Sequence, residues 1–326
     1  MRTPAALVVV VLGALLTGCA PEPAPTTPVS TACGADAIVI GPEADELQAA
    51  LDAALPGDVL ALSETRYVGA FTVTRSGTAE APVTLCGTAG AVIDGGGTGS
   101  GYGLHLDGAD HWHLTGFTVT NAAKGIVLDA SDFNTLEALT VTGVGDEAIH
   151  LRTHSSDNTI TGTTIARTGL VQPDFGEGIY VGSAVSNWCR YTDCAPDASD
   201  RNTIVGNDIS GVTAEAIDVK EGTTAGVVQG NTLASAATDT PAIGLKGNEW
   251  QILENRMMAA DADGLAVFVI EEGWGQRNVI GGNTFTVGGD WLAVRFTGAA
   301  RTTGNLLRCD NSTDAGTPAR SNVPCE

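Results

Sequence analysis

Gly178-Ile179-Tyr180-Val181 and Ala216-Ile217-Asp218-Val219 are two copies of one short motif, a small residue followed by two apolar residues that bracket a variable one. The other copies are Gly103-Leu104-His105-Leu106, Gly125-Ile126-Val127-Leu128, Ala148-Ile149-His150-Leu151, Ala242-Ile243-Gly244-Leu245, Gly264-Leu265-Ala266-Val267 and Trp291-Leu292-Ala293-Val294. Their first apolar positions are separated by 22, 23, 30, 38, 26, 22 and 27 residues. A unit this short buries its apolar side only against its neighbours, so a recurrence of this length with insertions predicts a solenoid. Alternation with period two makes each copy a strand, and the stack an all-β domain of parallel coils.

A second motif follows the first around Asn158, Asn202, Asn207, Asn231, Asn255, Asn278 and Asn283. Asparagine recurring at a bend tolerates left-handed backbone and can ladder its amide from coil to coil, so these residues are read as structural. Between Pro42 and Leu55 the pattern changes: Leu47, Leu51 and Leu55 recur every four residues, which predicts a short amphipathic helix. The first coil exposes strand edges and apolar core, and such a helix would cap that end.

The order of capping helix, the strand "GDVLAL" (57–62) and stacked Gly-Ile-x-Val coils resembles the pectin-lyase-like superfamily of right-handed parallel β-helices, over nearly all of the chain after its first segment. The resemblance implies the fold. It leaves the activity open, because that fold hosts lyases, hydrolases, epimerases and binding proteins.

The chain divides into residues 1–19, a secretory signal ending in Leu16-Thr17-Gly18-Cys19; 20–32, a Pro- and Thr-rich tether; 33–100, the cap and first coils; 101–313, the repeated coils; and 314–326, a closing tail. The apolar run before Cys19 is too short to span a bilayer. Cys19 is expected to carry lipid and to anchor an exported monomer to the outer face of the cell membrane or to the cell envelope. Six other cysteines remain, an even number in an exported chain, which predicts disulfides. Of the pairings six cysteines allow, locality favours Cys33 with Cys86, Cys189 with Cys194 and Cys309 with Cys325. A formal net charge of -22 excludes nucleic acid as a partner, because phosphate binding needs a basic face. It also counts against a polyanionic substrate, unless positive charge is gathered locally or a bound cation helps.

With the apolar pair of each motif turned inward, the residues between and after it form two outward columns. One reads His105, Val127, His150, Tyr180, Asp218, Gly244, Ala266, Ala293; the other reads Asp107, Asp129, Arg152, Gly182, Lys220, Lys246, Phe268, Arg295. His150, Arg152, Tyr180, Asp218, Lys220 and Lys246 fall together, and Gly182 and Gly244 leave gaps in the wall. Lys220 and Lys246 are expected to be neighbours, which would lower the pKa of one of them as a general base requires. The insertion "GSAVSNWCRYTDCAPDASD" (182–200) and the shorter "EEGWGQ" (271–276) bring Trp188, Arg190, Tyr191 and Trp274 alongside, suited to sugar rings.

The segment "AEAIDVKEGTTAGVVQGN" (214–231) resembles the lysine-bearing motif of alginate and dermatan lyases on this fold. The resemblance implies that Lys220 abstracts the C5 proton of a uronate and that calcium binds nearby. Glu215 matches one acidic ligand position while Thr213 stands at the other, and Glu215 and Glu177 are the residues expected to hold the ion. Lys246 stands nearest to the position of the family's arginine. The leading expectation is therefore a polysaccharide lyase in which Arg152 neutralises the carboxylate, Lys220 is the base, and Tyr180, His150 or Lys246 supplies the proton. The alternatives are a glycan-binding envelope protein, a glycoside hydrolase using Asp218 with Glu177 or Glu215, and a uronate epimerase.

Overall fold

In the computed structural model of the chain, which describes residues 33–235 and 237–326, Ile149, Ile179, Ile217, Ile243 and Leu265 face one another on successive parallel strands. All five are fully buried, each contributing about 1.5–3 kcal/mol by leaving water. The small residue before each is required by packing. A Cβ on Gly178 would come within 2.5 Å of the Ala216 carbonyl oxygen and 2.6 Å of Ile209 in the core. The chain thus winds as a right-handed parallel β-solenoid of about 11 turns, its strands forming three parallel sheets of eleven, nine and ten strands.

The nine-stranded sheet carries the motif. It runs from Phe71–Val73 through Tyr102–Asp107, Lys124–Asp129, Ile149–Arg152, Ile179–Val181, Ile217–Val219, Ile243–Leu245 and Leu265–Val267 to Val294–Phe296. The last strand corrects the expected register. Leu265 pairs with Val294 and Val267 with Phe296, so the copy is Ala293-Val294-Arg295-Phe296. Arg295 consequently belongs beside Ala266 in the first column. Two extra residues are absorbed in the turn where Trp291 N–H bonds the Gly288 carbonyl and Leu292 N–H bonds Asp263.

Two ladders of asparagine, buried except for the half-buried Asn305, hold the bends. Asn207, Asn231, Asn255, Asn283 and Asn311 form one; the side-chain oxygen of Asn231 accepts both the backbone N–H (2.8 Å) and the Nδ2 (2.9 Å) of Asn207. Asn134, Asn158 and Asn202, with Asn278 and Asn305 further along, line the other. The left-handed residue is the one before the asparagine, as at Asp157, Arg201, Glu254 and Arg277. The asparagine itself supplies hydrogen bonds and not the unusual backbone angle.

The predicted helix spans Ala44–Ala53 and buries Leu47 and Leu51. Leu55 lies beyond its end and is 64 % exposed. Gln48 covers the sheet edge: its amide donates to the Thr72 carbonyl (2.8 Å) and accepts from the Thr72 N–H (3.0 Å), removing an unpaired edge. At the far end the tail folds back on the last strand, with Val294 N–H bonded to the Arg320 carbonyl and Phe296 N–H to Asn322. All three expected disulfides are present. The signal, Cys19 and the tether lie outside the described residues.

Candidate active site

Strand pairing sets His150 beside Tyr180, Tyr180 beside Asp218, and Asp218 beside Gly244. Two insertions wall this face. The loop 167–177 is pinned by Thr168 donating to the Gly176 carbonyl and Thr213 donating to the Pro173 carbonyl. The loop 182–202 is stiffened by the Cys189–Cys194 bond and by Asp197, whose carboxylate accepts the N–H groups of Thr153 and His154. Between them lies a cavity of about 610 Å³. The central positions of the columns are therefore withdrawn from solvent: His150, Arg152, Asp218 and Lys246 are only 6, 4, 1 and 7 % exposed.

At the floor, Asp218 binds both lysines, with Lys220 Nζ 2.6 Å from one oxygen and Lys246 Nζ on the other. Burial works against the Asp218 carboxylate, yet the two ammoniums outweigh it and hold the pKa below the ordinary range. Burial likewise presses Lys220 to shed its proton, but Asp218 and then Tyr180 reverse this and raise its pKa. For Lys220 this overturns the expected lowering, because the Asp218 anion stands beside its ammonium. Tyr180 lies next to Lys220, with the ammonium 4.8 Å from the ring centre. Burial raises the phenol's pKa above the ordinary range, and the Lys220 charge opposes that rise without cancelling it.

His150 packs edge-on against Tyr180. Its Nδ1 lies 2.7 Å from Glu147 and its Nε2 3.0 Å from the Gly182 carbonyl oxygen, so both ring nitrogens face acceptors. Burial opposes the Glu147 charge, but His150 and Lys124 prevail and bring its pKa down to about 2. Arg152 is gripped by Asp129 through Nε (2.7 Å) and Nη2 (2.9 Å), and it also donates to Tyr102 and Tyr191. His150 and Arg152 are thus held in fixed positions in the wall of the site. Neither gap expected at the glycines exists: Gly182 is the left-handed residue at which the chain leaves the sheet, and the space over Gly244 holds Asp218, Glu215 and Lys246.

Glu177, Glu215 and Asp218 bring carboxylate oxygens within 4.8 Å of one another, an acidic site of which the sequence reading assigned only Glu177 and Glu215 to metal. Burial, followed by the charge of Asp218, pushes Glu177 up to about 8. Thr213, at the second acidic position implied by the resemblance, spends its hydroxyl on the loop.

Arg190 and Tyr191 line the cavity as expected of their loop. Trp188 does not: it is 9 % exposed and donates its indole N–H to the Ser183 carbonyl (2.9 Å), packing the loop onto the coil. Trp274 is not among the lining residues either. The lining instead includes Tyr102, Lys124, Glu147 and Phe175, which the columns omit. Tyr102 and Lys124 precede the small residue of their motifs, and there the alternation breaks. Gly103 and Leu104 both face the core, so Tyr102 is turned outward where strict alternation places it inward.

The fold has counterparts among solved structures. At TM-score 0.74, an alginate lyase from Paenibacillus sp. str. FPU-7 superposes over 86 % of this chain and 96 % of its own, with 34 % sequence identity. Pectate lyase Pel9A is similar in fold, at 14 % identity over 81 % of this chain and 80 % of its own, TM-score 0.60. A mannuronic acid specific polysaccharide family 6 lyase from human gut microbiota gives 16 % identity over 83 and 66 %, also at TM-score 0.60. No curated protein sequence matches. Residues 102–307 match the family described as the right handed beta helix region. With its coils, ladders and capped ends accounted for, the chain belongs to the right-handed β-helix family, and polysaccharide lyases are among the structures it is similar to.

Proposed function

We propose that the protein is a polysaccharide lyase that cleaves a uronate-containing glycan by β-elimination, with alginate the first substrate to offer. The observation that carries this reading is the pairing of Tyr180 with the Lys220 ammonium at the floor of a cavity also lined by Lys124, Arg152 and Arg190, in a chain 34 % identical to an alginate lyase. The lining also holds Asp146, Glu147, Asp174, Glu177, Glu215 and Asp218, so a uronate carboxylate would be met by individual cations such as Lys220 and Arg190 and not by a net positive cavity.

Elimination moves the C5 proton to a base, forms the C4=C5 double bond, and expels O4 with a proton. Neutralising the carboxylate acidifies C5–H. Lys220, kept charged by Asp218, suits that role better than the base assigned to it from sequence. To act as base Tyr180 must first lose its own proton, which burial opposes and the Lys220 charge favours; the phenolate so formed takes the C5 proton and returns it to O4. The phenolate grows with pH, so turnover should still be climbing above neutrality; a pH–rate profile already level below neutral pH would exclude this route. A hydrolase reading fits less well: its two carboxyls flank the bond roughly 5–9.5 Å apart, whereas here three carboxylates converge and Asp218 is bound by two ammoniums.

The test is a screen of alginate, its mannuronate and guluronate blocks, and pectate for the ultraviolet absorbance of an unsaturated uronate. A binding protein would retain a glycan and release no chromophore, and an epimerase would alter the uronate without shortening the chain. We further propose that Cys19 carries lipid and holds the protein at the cell envelope. Mass analysis of the mature N-terminal peptide, with Cys19→Ser as control, checks this.

A further inference from the structure

We propose that Lys246 is a built-in cation: its ammonium sits where Glu177, Glu215 and Asp218 would otherwise gather around a divalent ion. The inference stands apart from the lyase reading. Lys246 Nζ bonds Asp218 and lies 3.5 Å from Glu215. The seat is shaped for it. A Cβ on Gly244 would meet Asp218 Oδ1, Glu215 Oε1 and Lys246 Nζ, each at 2.9 Å, so the missing side chain at Gly244 is what lets the ammonium settle among the oxygens.

The charges agree with this placement. Three carboxyl groups, Glu177, Glu215 and Asp218, face two ammoniums, Lys220 and Lys246. Adding a divalent ion would overfill the site unless Lys246 left. Without Lys246 the three carboxylates and Lys220 would carry two net negative charges, the complement of a divalent cation. The calcium that the resemblance implies therefore does not fit the chain as it stands. Calcium takes six to eight oxygen ligands, the lysine supplies none, and the Thr213 hydroxyl is engaged with Pro173.

The experiment uses the full mature chain as wild type, Lys246→Ala, Lys246→Gln and Lys246→Arg, titrated calorimetrically with calcium chloride and melted with calcium or with chelator. Wild type and Lys246→Arg should show no binding at this site and no calcium-dependent melting shift. Lys246→Ala and Lys246→Gln should bind one calcium at least about tenfold more tightly than wild type and recover melting temperature when it is added. Calcium binding by wild type that Glu215→Gln removes would overturn the proposal, as would folded Lys246→Ala and Lys246→Gln without gained affinity. Variants that stay unfolded with calcium present would also overturn it, since the freed carboxylates are predicted to fold around the ion. None of these readouts requires cleavage, so failure here is distinct from failure of the lyase assignment.

Discussion

Replacing Glu177 with glutamine tests the electrostatics of the site without requiring any knowledge of substrate. In the native protein burial and the neighbouring Asp218 push the Glu177 carboxyl from the ordinary 4.5 to about 8. Between those two values the folded protein holds a proton that the unfolded chain has released, so stability falls as pH rises through the window. The contribution is fully present below about pH 4.5 and gone above about pH 8. At ~1.36 kcal/mol per unit, the loss amounts to a ceiling of about 4–5 kcal/mol. Glutamine cannot ionise, so Glu177→Gln should match wild type near pH 4 and exceed it increasingly toward pH 8. The lowered carboxyls Asp129, Glu147 and Asp218 act in the opposite sense at acid pH, but they are present in both proteins and cancel to first order in the difference. Urea unfolding of both at a series of pH values measures it. A stability difference independent of pH would refute the burial argument for Glu177.

Tyr180→Phe removes one hydroxyl and should lower turnover by about 10² to 10⁴ with folding and glycan retention unchanged; kinetics showing most activity intact would return the proton transfer to Lys220. Lys220→Arg separates the same roles, since a charge-neutralising lysine tolerates arginine in part whereas a base does not. Asp218→Asn strands two ammoniums in a buried site and should cost about 3–5 kcal/mol, read as a fall in the urea midpoint; a change indistinguishable from a surface mutation would mean that the cluster is solvated. Asn231→Ala should cost about 1–3 kcal/mol for each buried group left unpaired, and a neutral result by the same assay would show that the ladder adds nothing to stability.

Much of the architecture was legible because a solenoid coil is a local object. The small residue and the apolar pair of Ile179, Ile217 and Ile243 recur in sequence as they stack in space, and the asparagines mark the bends. Cysteine locality sufficed for the disulfides because each pair closes within neighbouring coils. The register failed only at Val294, where two residues looped into a turn and Leu292 imitated the motif.

The site was legible as a set of residues and not as a set of roles. His150, Arg152, Tyr180, Asp218, Lys220 and Lys246 do share one face, but period-two reading missed Tyr102 and Lys124, because the chain turns two successive residues inward at each small position. Whether a tryptophan on a loop faces a ligand or the coil depends on packing that only the folded loop decides, and Trp188 chose the coil. The same is true of charge. Adjacent lysines in a column predict mutual repulsion, and only the tertiary structure shows Asp218 between them, because burial and Coulomb interaction depend on distances of a few ångströms that no spacing in sequence encodes.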